Sequence, residues 1–219
     1  MAVAPTARPA RTRVRNKQGS GARLREDILA AAGHILETTG SDDALTLRAI
    51  ARQAGVTAPA IYAHFPDRDA IRLVVITRTF TELASVLAAA EADGDAAGDD
   101  GRGALGAVCR AYLDFAARRP HHYRLLFERH RAARGADAGP QAPDVDSIVG
   151  ADAFGVLVSA VRRCVESGAS SATDPVAAAT RLWVGLHGQA TLRASLPWFP
   201  WPPAETLSDD LMTRLTDLC

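Results

Sequence analysis

The chain has 219 residues, enough to bury a real core in one or two domains, and its 25 Lys and Arg balance its 25 Asp and Glu. The balance is uneven: residues 1–80 hold 12 basic and 7 acidic side chains, net +5, whereas residues 81–219 hold 13 and 18, net −5. Only the front is suited to a polyanion, and three scattered cysteines (Cys109, Cys164, Cys219) exclude a disulfide framework.

Residues 1–20 are rich in Arg, Pro and Gly and lack the apolar stretch of a secretory leader, so they read as a flexible basic arm centred on Arg8–Lys17. The longest uncharged apolar runs, Leu83–Ala90 and Phe154–Val161, are 8 residues each. A bilayer span needs roughly 20. A soluble, cytoplasmic protein that uses no membrane is expected.

Apolar residues recur at spacings of three and four almost throughout, and β-branched residues do not alternate with polar ones. The chain therefore reads as all-α, with about nine helices. The first spans about Arg23 to Thr39, with Leu24, Ile28, Ala31, Ile35 and Leu36 on one face and Gly40 as its stop. Two short helices follow over 46–53 and 57–64. A long helix starts behind Asp67 and runs to about Ala92, with Ile71, Val74, Val75, Leu83, Val86 and Leu87 turned inward. The Gly- and Asp-rich stretch Asp93–Gly103 is expected to be a loop.

The helix Gly103–Arg119 buries Leu105, Val108, Cys109, Tyr112 and Phe115. Pro120 opens the next, with Tyr123, Leu126 and Phe127 inside. Gly135–Pro143 reads as a loop. A helix over about 146–167 is apolar on most sides around Phe154, Val156, Leu157 and Val158, which suits deep burial. Asp174 caps a helix that has Pro175 in its first turn and runs to Leu196. The proline-rich Pro197–Pro203 cannot be helical, and a last amphipathic helix carries Leu207, Leu211, Leu215 and Leu218.

The most informative segment is Leu45–Phe65. Thr46 stands at an N-cap position, Ile50 faces the core one turn later, and Ala51 is small where two helices cross. Gly55 occupies a tight turn that wants positive φ, and Val56 and Ile61 return to the core. Thr57 stands at the second cap, with Pro59 harmless in the first turn. A second helix of about seven residues is roughly 10 Å long, which fits a major groove about 12 Å wide. Two short helices with a Gly turn would also arise without DNA; the basic front favours DNA.

Here the sequence closely resembles the TetR family of bacterial transcription regulators, through Ala44-Leu-Thr-Leu-Arg-Ala-Ile-Ala51, Ala54-Gly-Val-Thr57, Ile61-Tyr-Ala-His-Phe65 and Pro66-Asp-Arg-Asp-Ala-Ile71. Leu24–Ala32 is similar to the family's first helix. The resemblance implies a homodimeric regulator, most often a ligand-released repressor, on a palindromic operator in double-stranded DNA. It divides the chain into an arm (1–20), a helix-turn-helix domain (21–66) and an effector-binding and dimerisation domain (67–219). By position, Thr46, Thr57, Tyr62 and His64 match phosphate-gripping residues. Arg48 matches a phosphate or base contact, and Arg68 stands where the family often has Lys. The two threonines would equally serve only as caps, and Tyr62 only as packing. Ala58, Pro59 and Ala60 offer thymine methyls nothing but apolar contact, so specificity would lean on DNA shape and on the arm.

The C-terminal part resembles the subgroup marked Trp-x-x-x-His-Gly, through Trp183-Val-Gly-Leu-His-Gly188 and Pro120-His-His-Tyr-Arg-Leu-Leu-Phe127. On a helix Trp183 and His187 are i and i+4 and share a face with Val176 and Ala190. An effector pocket is expected at Cys109, Tyr112, Tyr123, Phe127, Trp183 and His187, for a small molecule of unknown identity; the same residues would also suit plain core. Leu182, Gly185, Leu186 and Gln189, with Leu207, Leu211 and Leu215, are expected at the dimer interface. Trp198 and Trp201 would cover the dimer edge or the pocket mouth.

Other function classes find less support. Gly101-Arg-Gly-Ala-Leu-Gly106 fits G-x-G-x-x-G, but no strand precedes it. His121, His122 and His130 hint at a metal sensor, yet adjacent histidines point to different helix faces. Neither catalysis, a cofactor nor a metal is expected. The remaining alternatives are a regulator answering to a partner protein or a metal, and a small helical enzyme.

Overall fold

The computed structural model describes residues 20–95, 100–127 and 150–219. The basic arm, His130, the Gly135–Pro143 loop and the start of the helix expected from about 146 lie outside the described residues. Within them the chain is helical and has no strand. The helices are α1 (Ser20–Thr39), α2 (Leu47–Gln53), α3 (Ala58–Tyr62), α4 (Arg68–Asp95), α5 (Arg102–Arg118), α6 (Pro120–Phe127), α7 (Ala151–Glu166), α8 (Pro175–Ser195) and α9 (Ala204–Leu215). A single 3-10 turn, Asp42–Ala44, joins α1 to α2.

Local chemistry sets these boundaries. Thr46 has extended backbone (φ −95°, ψ 151°) and its hydroxyl oxygen accepts the Ala49 N–H at 3.1 Å. Asp67 receives the Ala70 N–H at 2.7 Å to start α4. Asp174 receives the Val176 and Ala177 N–H groups, with Pro175 in the first turn of α8. Gly40 closes α1 at φ +61°, and Gly55 makes the α2–α3 turn at φ +67°. An added Cβ at Gly55 would touch nothing, whereas at Gly40 it would stand 2.4 Å from the His121 ring. Gly55→Ala should therefore cost only the left-handed penalty of about 1–2 kcal/mol, and Gly40→Ala distinctly more. Thermal melting of both variants checks this order.

Two expectations are corrected. α4 continues to Asp95, past the expected stop at Ala92, because Gly94 lets the helix lie directly on α5: a Cβ there would come within 2.6 Å of the Ala104 Cα. Val86 is 38% exposed, since the neighbouring helices cover the stripe of Ile76, Thr79, Leu83 and Leu87 beside it.

α4 is long and apolar enough by composition to cross a bilayer, and it runs against α1, α5, α6 and α7. One core continues from Ile28, Leu45, Ile50 and Ile61 to Leu105, Val108, Leu182 and Leu186. α5 sits centrally, touching α4, α6, α7, α8 and α9. α6 also touches α1: His121 lies against Gly40 and His122 against Gly33. Ion pairs brace the same region, with Arg78 bidentate on Glu26 at 2.6 and 2.7 Å and Arg119 on Glu82.

Candidate nucleic-acid interface and internal cavity

α2 and α3 form a helix-turn-helix whose inner side is Ile50, Ala51 and Ile61, all buried, with the Val56 N–H bonded to the Ala51 carbonyl at 2.9 Å. α3 is five residues long, shorter than the spacing suggested, and after it the His64 N–H bonds the Ile61 carbonyl three residues back, a tightened turn. Thr46, Arg48, Thr57, Pro59 and Tyr62 are exposed on this unit, Tyr62 to 58%; Ala58, Ala60, His64 and Arg68 are partly so.

Thr57 holds the N-cap position with extended backbone but makes no side-chain cap bond, contrary to expectation, so its hydroxyl is not spent on the helix. Arg68 is held by Asp69 at 3.2 Å and lies 3.9 Å from Asp42, which also takes Arg72 at 2.8 Å. It braces the start of α4 rather than standing alone. His64 lies beside Gly21, so the chain enters α1 next to the end of α3. Residues 20–80 hold 7 basic and 7 acidic side chains, which leaves the whole +5 of the front on residues 1–19.

A cavity of about 510 Å³ opens among α4, α5, α6, α7 and α8. Tyr112, Phe127 and Trp183 line it. Phe127 makes ring contacts with Trp183 and His187, at centroid separations of 6.1 and 4.4 Å. Tyr123 and His187 stand behind Tyr112 instead of on the wall. The Tyr112 and Tyr123 hydroxyls are 2.7 Å apart, and Tyr123 Oη is 2.7 Å from His187 Nδ1. Burial pushes the Tyr112 phenol up to about 12, so the group stays protonated.

Cys109 does not line the cavity. It sits one turn before Tyr112, wholly enclosed, and burial raises its thiol to about 12. Sequence reasoning also missed the wall residues Leu83 and Leu87 of α4 and Phe154 and Leu157 of α7 as parts of a cavity. Nothing in an aliphatic pattern separates a cavity wall from filled core.

Burial lowers the pKa of His122 and of His187 below the ordinary imidazole value. The unfolded chain then binds more protons than the fold just below about pH 6.5, so stability should be full above that pH and decline as pH falls through the folded values. Melting temperatures from pH 8 to 5 should fall for the parent and fall less for His122→Gln and His187→Gln.

The residues expected at a dimer interface differ in exposure. Leu182, Leu186 and Gln189 are already buried within one subunit and present nothing to a partner. Gly185 is covered by Leu211 and Leu215, which would stand 3.2 and 3.1 Å from a Cβ there, so the leucine stripe of α9 is used on its own α8. Leu207 is likewise half-buried. α8 instead exposes Val176, Val184 and Leu192, spread over about 160° of the helix circumference. Val176 is exposed in the first turn of the helix, on the side it shares with Trp183. Trp198 and Phe199 are exposed beyond the helix, while Trp201 folds back, its indole N–H donating to the Leu196 carbonyl at 3.0 Å.

The family model for bacterial regulatory proteins of the tetR family matches residues 28–75, and that for a tetracyclin repressor-like C-terminal domain matches residues 105–218. A Rhodococcus sp. RHA1 protein of unknown function is 26% identical, with TM-score 0.72 over 93% of this chain and 99% of its own. SmeT, the repressor of the Stenotrophomonas maltophilia multidrug efflux pump SmeDEF, is 18% identical, with TM-score 0.61 over 87% of each chain. A tetR-family regulatory protein from Rhodococcus RHA1 is 17% identical, with TM-score 0.62 over 90% of this chain and 98% of its own. None of the curated proteins matches the chain.

Proposed function

The chain belongs to the tetR family of bacterial regulatory proteins, and we propose that it is a homodimeric cytoplasmic repressor that leaves a palindromic operator when a small molecule fills its internal cavity. The observation that carries the DNA half is the helix-turn-helix itself: a Gly55 turn, a Thr57 hydroxyl unspent on its helix and a protruding Tyr62 at the end of α3. In this reading residues 1–20 are a DNA-seeking arm, 21–66 the DNA-binding unit and 67–219 the effector-binding and dimerisation unit. Trp183 and His187 then mark the Trp-x-x-x-His-Gly subgroup. Two α3 helices lie one DNA turn apart, about 34 Å, in successive major grooves.

The cavity supports a small-molecule effector over a partner protein. SmeT, of the same fold, forms a complex with triclosan. α6 connects the two functions: Phe127 stands in the cavity wall while His121 and His122 lie against α1. A guest that shifts α6 thus moves α1 and the helices packed on it. Coupling of this kind typically changes affinity 5–150-fold, about 1–3 kcal/mol.

Anisotropy titrations of labelled genomic fragments across salt concentrations test the proposal. Tyr62→Ala and Thr57→Ala should each weaken operator binding severalfold, about 1 kcal/mol apiece. Salt-independent binding, or binding to no fragment, would refute the DNA reading.

A further inference from the structure

Of the described residues lining the cavity none is charged; the wall is chiefly hydrocarbon from α4, α5 and α7. Thr180 sits at the exposed rim and already donates to the Val176 carbonyl at 2.8 Å. The Trp183 indole lowers the Tyr112 pKa, a smaller effect than that of burial. Among the described side chains of the inner wall, Tyr112 is the one backed by a hydrogen-bonded chain and so suited to hydrogen-bond a guest.

Behind Tyr112 runs the chain to Tyr123 and His187. A neutral imidazole carries one N–H, so this chain has two proton orders. With His187 Nδ1 bare, Tyr123 donates to it, Tyr112 donates to Tyr123, and the Tyr112 oxygen meets the cavity as an acceptor. With Nδ1 protonated, His187 donates to Tyr123, Tyr123 donates to Tyr112, and the Tyr112 O–H turns to the cavity as a donor. The ring's other nitrogen, Nε2, lies 3.5 Å from the exposed Thr191 hydroxyl, where the proton exchanges with solvent. Neither order brings net charge into the site.

We infer that this cavity takes an uncharged, mainly hydrocarbon molecule with one hydrogen-bonding group, and that Tyr112 receives that group as donor or acceptor according to the tautomer of His187. The inference rests on the reading above in one respect: only if the cavity is the effector site is such a molecule the inducer. A carboxylate or ammonium entering here would shed its water and meet no counter-ion among the described residues. An alcohol or ketone sheds one hydrogen bond and regains it at Tyr112.

The test uses the full-length protein, N-phenyl-1-naphthylamine as fluorescent reporter, and decan-1-ol, decan-2-one, decanoate and decylammonium as competitors at pH 7.5. Operator anisotropy is read in the same samples. The alcohol and the ketone should displace the dye at similar concentrations, and the two ions only at concentrations at least about thirtyfold higher. Tyr112→Phe should weaken both neutral competitors about three- to tenfold, each inhibition constant being corrected for the dye's own dissociation constant on that variant. Displacement by decanoate or decylammonium as readily as by decan-1-ol overturns the inference. So does an unaltered response of Tyr112→Phe, or a cavity that binds neither dye nor alcohol. Displacement as expected with the operator complex intact upholds the cavity's chemistry and refutes its role as effector site.

Discussion

Removing residues 1–19 should lower operator affinity by about a hundredfold or more at low salt and flatten its salt dependence. Those residues hold five basic side chains and no acidic one, while residues 20–80 hold seven of each. The folded unit's cations are also largely committed: Arg68, Arg72 and Arg78 face Asp69, Asp42 and Glu26, and Arg25 lies 4.9 Å over the Phe65 ring. Each phosphate neutralised contributes about 0.9 to the slope of log affinity against log salt, so the truncated dimer, lacking two arms of five cations, should lose up to about nine units of slope. The truncation spares the fold, since the first buried residue of α1 is Ile28. The arm is attached close to the helix-turn-helix, because the chain enters α1 beside His64, next to the end of α3. Anisotropy at several salt concentrations compares the two proteins. An unchanged slope would mean that the arm touches no phosphate.

The helix-turn-helix was legible because its residues answer single-residue demands. Gly55 supplies a positive φ that few other residues tolerate, and Thr46 a cap bond that reads directly from spacing. The convergence of Tyr112, Phe127 and Trp183 was legible for a weaker reason, that amphipathic aromatics are rare in a chain of Ala, Val and Leu. The cavity's extent was not, because Leu83, Leu87 and Leu157 follow the same periodicity whether an atom or empty space faces them. The shortened α3 shows a third limit: where a helix ends depends on whether an N–H reaches three or four residues back, and that of His64 reaches only to Ile61.

The proposed dimer seam shows the same difficulty at larger scale, and it yields the second large effect. Helix α8 is apolar on two sides, and periodicity cannot say which side its own subunit consumes. The structure spends Leu182 and Leu186 internally, Leu186 being 1% exposed, and leaves Val184 62% and Trp198 78% exposed. Burying a valine or leucine in a seam is worth about 1.5–3 kcal/mol, and each seam residue counts twice by symmetry. Val184→Asp would instead set two unpaired charges in the seam at a cost of several kcal/mol, while in a lone subunit the same carboxylate stays in water. Val184→Asp is therefore expected to give a folded monomer with native helicity and melting behaviour. Its operator affinity should fall to the non-specific level, about a thousandfold or more, because a single α3 reads only half a site. Leu186→Asp should behave differently: its charge enters the subunit's own core, so it should lose helicity before any question of association arises. Sedimentation and circular dichroism on the two variants separate these outcomes. A Val184→Asp protein that remains a dimer would place the seam off this face of α8. A Leu186→Asp protein that stays folded but monomeric would return the seam to the face where the leucine pattern first put it.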